Sequence, residues 1–243
     1  MEWVFIVLIF IWTGFVRTGL GFGGAALGLP FMLMIHDDLL YWLPMIGIHL
    51  LFFSSLTLSK AIREVDWPFL KQSLLWILPP TLLGVFGLVN LPAQWLVMFV
   101  YSITIYYAWM WLTNKRIHSE RAWVDRGLLM TGGYIAGTSL TGAPLMVAVF
   151  TKHVLPHLLR NTLFVLWFVL VSIKMSTFIM LDVKIEWQTA LFLIPFAAVG
   201  HYYGLKAHEF ILTNNDLFKR VMGGMLLLVS TVGLIVTVVM NEI

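Results

Sequence analysis

The chain contains no cysteine, so disulfides, thiol nucleophiles and thiolate metal sites are excluded. Charge is almost as scarce. Only 11% of the 243 residues are Asp, Glu, Lys or Arg, against roughly a quarter in soluble domains, which leaves no room for a separate soluble domain. Also missing is the period-two alternation of a transmembrane barrel, and helices are then the one remaining way to cross a bilayer. No P-loop motif is present, so direct ATP drive would need a partner subunit. The opening "MEWVFIVLIF" has neither a basic leader nor a small-residue cleavage pattern, and it reads as mature protein rather than a signal peptide. The net charge of +3 comes from scattered lysines and arginines; it reports membrane orientation and gives no footprint for nucleic acid.

What is present is apolar sequence, 60% of the chain, arranged as eight runs: 3–35, 39–58, 69–89, 94–112, 127–151, 161–181, 187–205 and 217–240. The breaks between them are short and polar. The predicted fold class is an all-α polytopic membrane protein placed in a bacterial-type inner membrane. The runs form two sets of four. A shift of 119 carries Gly14 onto Gly133 and Gly23 onto Gly142, and a shift of 116 carries Pro79 onto Pro195 and Gly84 onto Gly200. Two matches near half the chain length imply an internal duplication, with a first repeat over 1–112, a cytoplasmic linker over 113–126 and a second repeat over 127–243.

The first run would measure about 50 Å as one helix, too long for a simple span, and its middle reads "GLGFGGAALGLP". A hairpin turning at these glycines explains both its length and its composition. "GTSLTGAP" has the same turn character in the second repeat, with Pro144 near the start of the returning helix. Loop charge tests the idea, because Lys and Arg gather on the cytoplasmic side. If both segments are hairpins, every loop lysine and arginine except Lys184 shares one side; if both cross fully, the split is eight against five. Hairpins followed by three crossings per repeat give an inverted repeat, hairpin tips near the midplane and both termini outside the cytoplasm. A kinked spanning helix in each of two parallel repeats is the competing reading.

All twelve acids lie in breaks or at chain ends, whereas Arg17, His49, Lys174 and His201 sit inside apolar runs. Ionisable groups in a membrane span are costly and mark function. A positive interior without carboxylates suits an anion and disfavours a cation path. The returning helices would aim their positive ends at such an anion. The expected substrate-binding residues are therefore Arg17, Gly21, Gly23, Gly24, Thr138, Ser139, Thr141 and Gly142, the glycines allowing close backbone approach and the hydroxyls donating. His49, Arg160, Asn161, Lys174 and His201 are candidates for coupling or gating, with packed histidines, a snorkelling lysine and interfacial anchors as the plainer alternatives. No cofactor or metal is expected. The expected partners are a small anion and the lipid bilayer; proton coupling and a homo-oligomer stay open.

Several stretches resemble one family. "GLGFGGAALGLP", its degenerate copy "GYIAGTSLTGAP", "EVDWPFLKQSLLWILPPTLLGVFG" and "LLRNTLFVLW" are together similar to the sulfite exporter TauE/SafE permeases. That resemblance implies a non-enzymatic secondary transporter of small anions, with sulfite, sulfonates and related sulfur or organic oxyanions as cargo. Against the family pattern, "TSLTGAP" lacks the second glycine of a pair. An anion channel is the nearest alternative. An intramembrane serine protease using Ser139 and His201 is a distant one, since Ser139 lies in no nucleophile motif.

Overall fold

The computed structural model describes residues 2–20, 23–115, 121–213 and 215–240. These residues form ten helices. In chain order they are α1 Glu2–Leu20, α2 Gly24–Leu33, α3 Leu39–Ala61, α4 Trp67–Asn90 and α5 Ala93–Leu112, then α6 Ala122–Ser139, α7 Ala143–His153, α8 Pro156–Met180, α9 Trp187–Thr213 and α10 Asn215–Met240. Six of them, α1, α3, α4, α5, α8 and α10, are long and apolar enough to span a membrane. This is a multi-pass helical membrane protein.

Each glycine-rich run is two helices folded back on each other. In the first, Gly24 of α2 lies beside Thr13 and Arg17 of α1, and Gly28 meets Thr13 again. The chain therefore returns along the helix it came from. In the second, Gly142 abuts Gly132, and Gly132 faces Leu145 and Met146. Both contacts run antiparallel. A single kinked span would put α2 and α7 beyond their partners rather than beside them.

The helices fall into two compact units, and each draws on both sequence halves. One comprises residues 1–42, 91–116 and 191–243; the other comprises 43–90 and 117–190. The first holds the α1–α2 hairpin with α5, α10 and most of α9, around a core of Val16, Leu27, Ala108 and Leu226. In the second, the α6–α7 hairpin packs with α4 and α8, and α3 lies on α8 through Gly47 against Val171 and Met175. The chain passes between the units four times: inside α3 just before Pro44, between α4 and α5 just before Pro92, between residues 116 and 117, and inside α9 between Ala190 and Leu191.

Small residues set the helix crossings in both units. On α6, Gly133 and Gly137 fit against Ile77 and Thr81 of α4, Gly84 of α4 meets the Tyr134 carbonyl, and the Thr81 hydroxyl reaches the Gly133 carbonyl at 3.0 Å. In the other unit Gly200 and Gly204 of α9 meet the Ile11 and Phe15 carbonyls of α1. This four-residue spacing of glycines is the usual device for close helix approach in lipid, where large side chains gain nothing by facing inward. On α4 the small residues Ser73, Thr81 and Gly84 are buried along with Leu70 and Ile77, while Leu75, Leu83 and Phe86 are exposed.

Candidate functional site

Each unit contains a broken helix and a buried cation, Arg17 in one and Lys174 in the other. In the first unit α1 ends at Leu20 and α2 begins at Gly24, capped by Gly23 in the left-handed region at φ 82° with no side-chain cap. Glycine is required there by conformation. Gly21, expected at the site, lies outside the described residues. Arg17 sits one turn back from the break and is buried, 4% exposed. Its stem lies against the start of α2, where a Cβ on Gly24 would stand 3.0 Å from the Arg17 Cβ. The stem of Arg17 thus packs on the first residue of α2.

Two imidazoles of α9 hold the end of α1. His201 Nδ1 lies 2.6 Å from the Thr18 hydroxyl, which is itself 2.9 Å from the Gly14 carbonyl. A hydroxyl has one proton; with it on the carbonyl, His201 donates. His208 Nδ1 lies 2.6 Å from the Gly19 carbonyl, an acceptor only, and is therefore protonated there. Thr18 and His208 were not among the expected residues. The apolar run was expected to stop at 205, and the helix continues to Thr213, because charged residues late in a helix do not end it.

In the second unit α6 ends at Ser139, Leu140 takes the left-handed conformation at φ 59°, and α7 begins at Ala143 with Pro144 in its first turn. The hydroxyls at this tip serve the tip itself. Thr138 donates to the Ile135 carbonyl at 2.9 Å, and Ser139 lies 3.1 Å from that carbonyl and 2.7 Å from Thr141. What remains as donors is backbone: α7 starts at Gly142 with no side-chain cap. The glycine at that point also permits the turn, since a Cβ would collide with the Gly132 carbonyl.

Lys174 of α8 is 1% exposed, and its Nζ has no hydrogen-bond partner. His49 of α3 is tied by Nε2 to the Ala190 carbonyl at 2.8 Å, which accounts for its burial. The fold also joins two stretches far apart in sequence. Asn161 reaches Glu64 at 3.1 Å, and the Thr162 hydroxyl accepts from the Asp66 amide at 2.9 Å. "EVDW" and "RNT" thus form one contact. Arg160 is half-buried one residue before it. Among the described residues no three His, Asp or Glu side chains converge as metal ligands would.

Among the described residues the buried ionisable side chains of Arg17, Lys174, His49 and Asp125 leave the interior with one carboxylate. Asp125 lies in the first turn of α6 and is matched by Lys152 and His153, each at 2.9 Å. The balance deep in the helices is positive.

Among curated proteins and among solved structures, nothing matches the chain. A family profile does: the one described as sulfite exporter TauE/SafE matches residues 6–232, nearly the whole length. With two broken-helix hairpins each leading into three long helices, and with motif stretches meeting in the fold, the chain belongs to the sulfite exporter TauE/SafE family of transporters.

Proposed function

We propose that the protein is a secondary transporter for small oxyanions, sulfite and sulfonates foremost, working by alternating access in a bacterial-type inner membrane. The observation that carries this is the burial of two cations, Arg17 and Lys174, in units that each hold a helix beginning without a side-chain cap, with no carboxylate among the described residues buried beyond the first turn of α6. A buried ammonium or guanidinium is tolerated only where negative charge or strong acceptors meet it. For the Lys174 ammonium, whose Nζ has no hydrogen-bond partner, a transported oxyanion supplies both. Each helix N-terminus adds N–H groups of the same polarity. The contact of Asn161 and Thr162 with Glu64 and Asp66 serves as a gate in this reading, and both termini lie outside the cytoplasm.

The test is uptake of labelled sulfite, sulfate, taurine and sulfoacetate into proteoliposomes, with and without a pH gradient. Saturable uptake of at least one anion is expected. Arg17→Ala and Lys174→Met are each expected to reduce it at least about tenfold, the value of a lost charge-assisted contact in a dry site. If no anion moves while the protein remains folded, or if both variants transport like the parent, the anion-site reading is wrong. Uptake that does not saturate would instead favour the channel.

A further inference from the structure

Both hairpins are tied at their open ends by the same chemistry. At the first, the Glu2 carboxylate in the opening turn of α1 meets His36, just past α2, with Oε1 and Nε2 2.8 Å apart. At the second, Asp125 in the opening turn of α6 meets His153, the last residue of α7, at 2.9 Å. Each imidazole also lies on an aromatic ring from another element: His36 against Tyr41 at 5.0 Å, and His153 stacked on Phe69 of α4 at 5.1 Å. The two pairs are not aligned copies. The shift of 119 that superposes the hairpin glycines carries Glu2 onto Arg121 and His36 onto Leu155. The same tie therefore arises from different positions in the two repeats, as expected if closing the mouth matters in itself.

The two ties differ in one respect. Asp125 takes a second cation, since Lys152 Nζ lies 2.9 Å from the oxygen that His153 contacts, and its side chain is 9% exposed. Glu2 and His36 are 54% and 46% exposed. Around them stand the Tyr41 and Trp42 rings and the acids Asp37 and Asp38. Around His153 stand Asp125, Lys152 and the Phe69 ring, and the neighbouring Arg126 is directed over Trp76. Histidine is the residue type that changes charge near neutral pH, whereas lysine stays charged throughout that range.

We propose that the mouth of the α1–α2 hairpin is a proton-operated clasp, closed while His36 is protonated and loosened when it is neutral, whereas Lys152 holds the α6–α7 mouth closed in either state. Glu2 and His36 act as positioning residues: they set how far the two legs part. The proposal concerns the hairpin mouths and stands whichever anion is carried. Its sign is fixed by the pairing. Protonation adds an attraction to Glu2, so the mouth closes as pH falls and opens as pH rises.

The absence of cysteine allows a direct test in the full chain. Spin labels are placed on the exposed pair Val4→Cys and Met34→Cys at the first mouth, and separately on Trp123→Cys and Leu155→Cys at the second. Dipolar spectra in liposomes are compared at about pH 5.5 and about pH 8. At the first mouth the ratio of close to separated populations is expected to fall by about two- to fivefold at the higher pH, the scale of an exposed ion pair. The second mouth should not change. His36→Lys should stay closed at both pH values, and Glu2→Gln should stay separated at both. A first mouth indifferent to pH, a second that responds as strongly, or a pH response that survives in either variant would overturn the proposal.

Discussion

Glycine does three different jobs in this chain, and substitution separates them. At Gly142 the space is occupied by the Gly132 carbonyl, so Gly142→Ala is expected to lower stability by about 1–3 kcal/mol, as overpacking does. Gly23 has room but a positive φ, and Gly23→Ala should lower stability by about 1–2 kcal/mol, with Gly23→Asn milder. Gly224 in α10 meets nothing within 4 Å; there Gly224→Ala should raise stability by about 0.4–1 kcal/mol through the unfolded chain. Reversible unfolding in mixed micelles reads all three. An equal loss at each position would mean that neither the space around these glycines nor their backbone conformation decides the effect. From sequence, the embedded Arg17 and Lys174 stand out because charge is rare in apolar runs. Gly21, Gly23, Gly24 and Gly142 invite a ligand-facing reading; of these, Gly24 and Gly142 also pack against the other leg of their hairpins. Composition cannot distinguish backbone bared to a ligand from backbone bared to another helix.

At the level of elements, helix breaks are easier to read than helix ends. The first hairpin follows from glycines in a run too long for one crossing and the second from the turn character of "GTSLTGAP", and both occur where expected. The starts of α6 and α8 and the end of α9 lie outside the apolar runs because polar first and last turns can still be helical. That is how Asp125 comes to lie within a helix. The joining of "EVDW" to "RNT" was not legible, since about a hundred residues separate them and only the tertiary fold brings them together. Asp66 carries a local role that can be tested: its Oδ1 accepts the Phe69 amide at 3.1 Å at the start of α4. Asp66→Ala is expected to cost about 0.5–2 kcal/mol, the value of a lost N-cap. If thermal denaturation shows no loss, the cap is not supporting α4.

For the whole molecule, the proposed inversion of the two repeats makes a prediction about sidedness. A cysteine at Val4, near the first mouth, and one at Trp123, near the second, should react with an impermeant maleimide from opposite faces of the membrane. Labelling of both from one face would replace inversion with parallel repeats. Within α9 the chain passes between units at Ala190 and Leu191, and Pro195 follows within about one turn. Pro195 in α9 has no amide hydrogen to complete the helix ladder, so bending there is easier than elsewhere in the helix. Pro195→Ala should raise the thermal midpoint while slowing uptake. A faster or unchanged rate would remove that proline from the transport cycle.

Because each unit is assembled from both halves of the chain, the order of synthesis leaves one hairpin waiting. The α6–α7 unit has nearly all its helices once α8 leaves the ribosome, whereas α1 and α2, made first, reach their neighbours on α9 and α10 only at the end. Until then Arg17 stands in a nascent hairpin without the histidines that brace its last turn. Such an intermediate depends on the insertion machinery and is exposed to quality-control proteases, since partly assembled chains bare the surfaces that later pack. Early stop codons after α8 would therefore leave a chain whose second hairpin is housed and whose first packs on α5 alone.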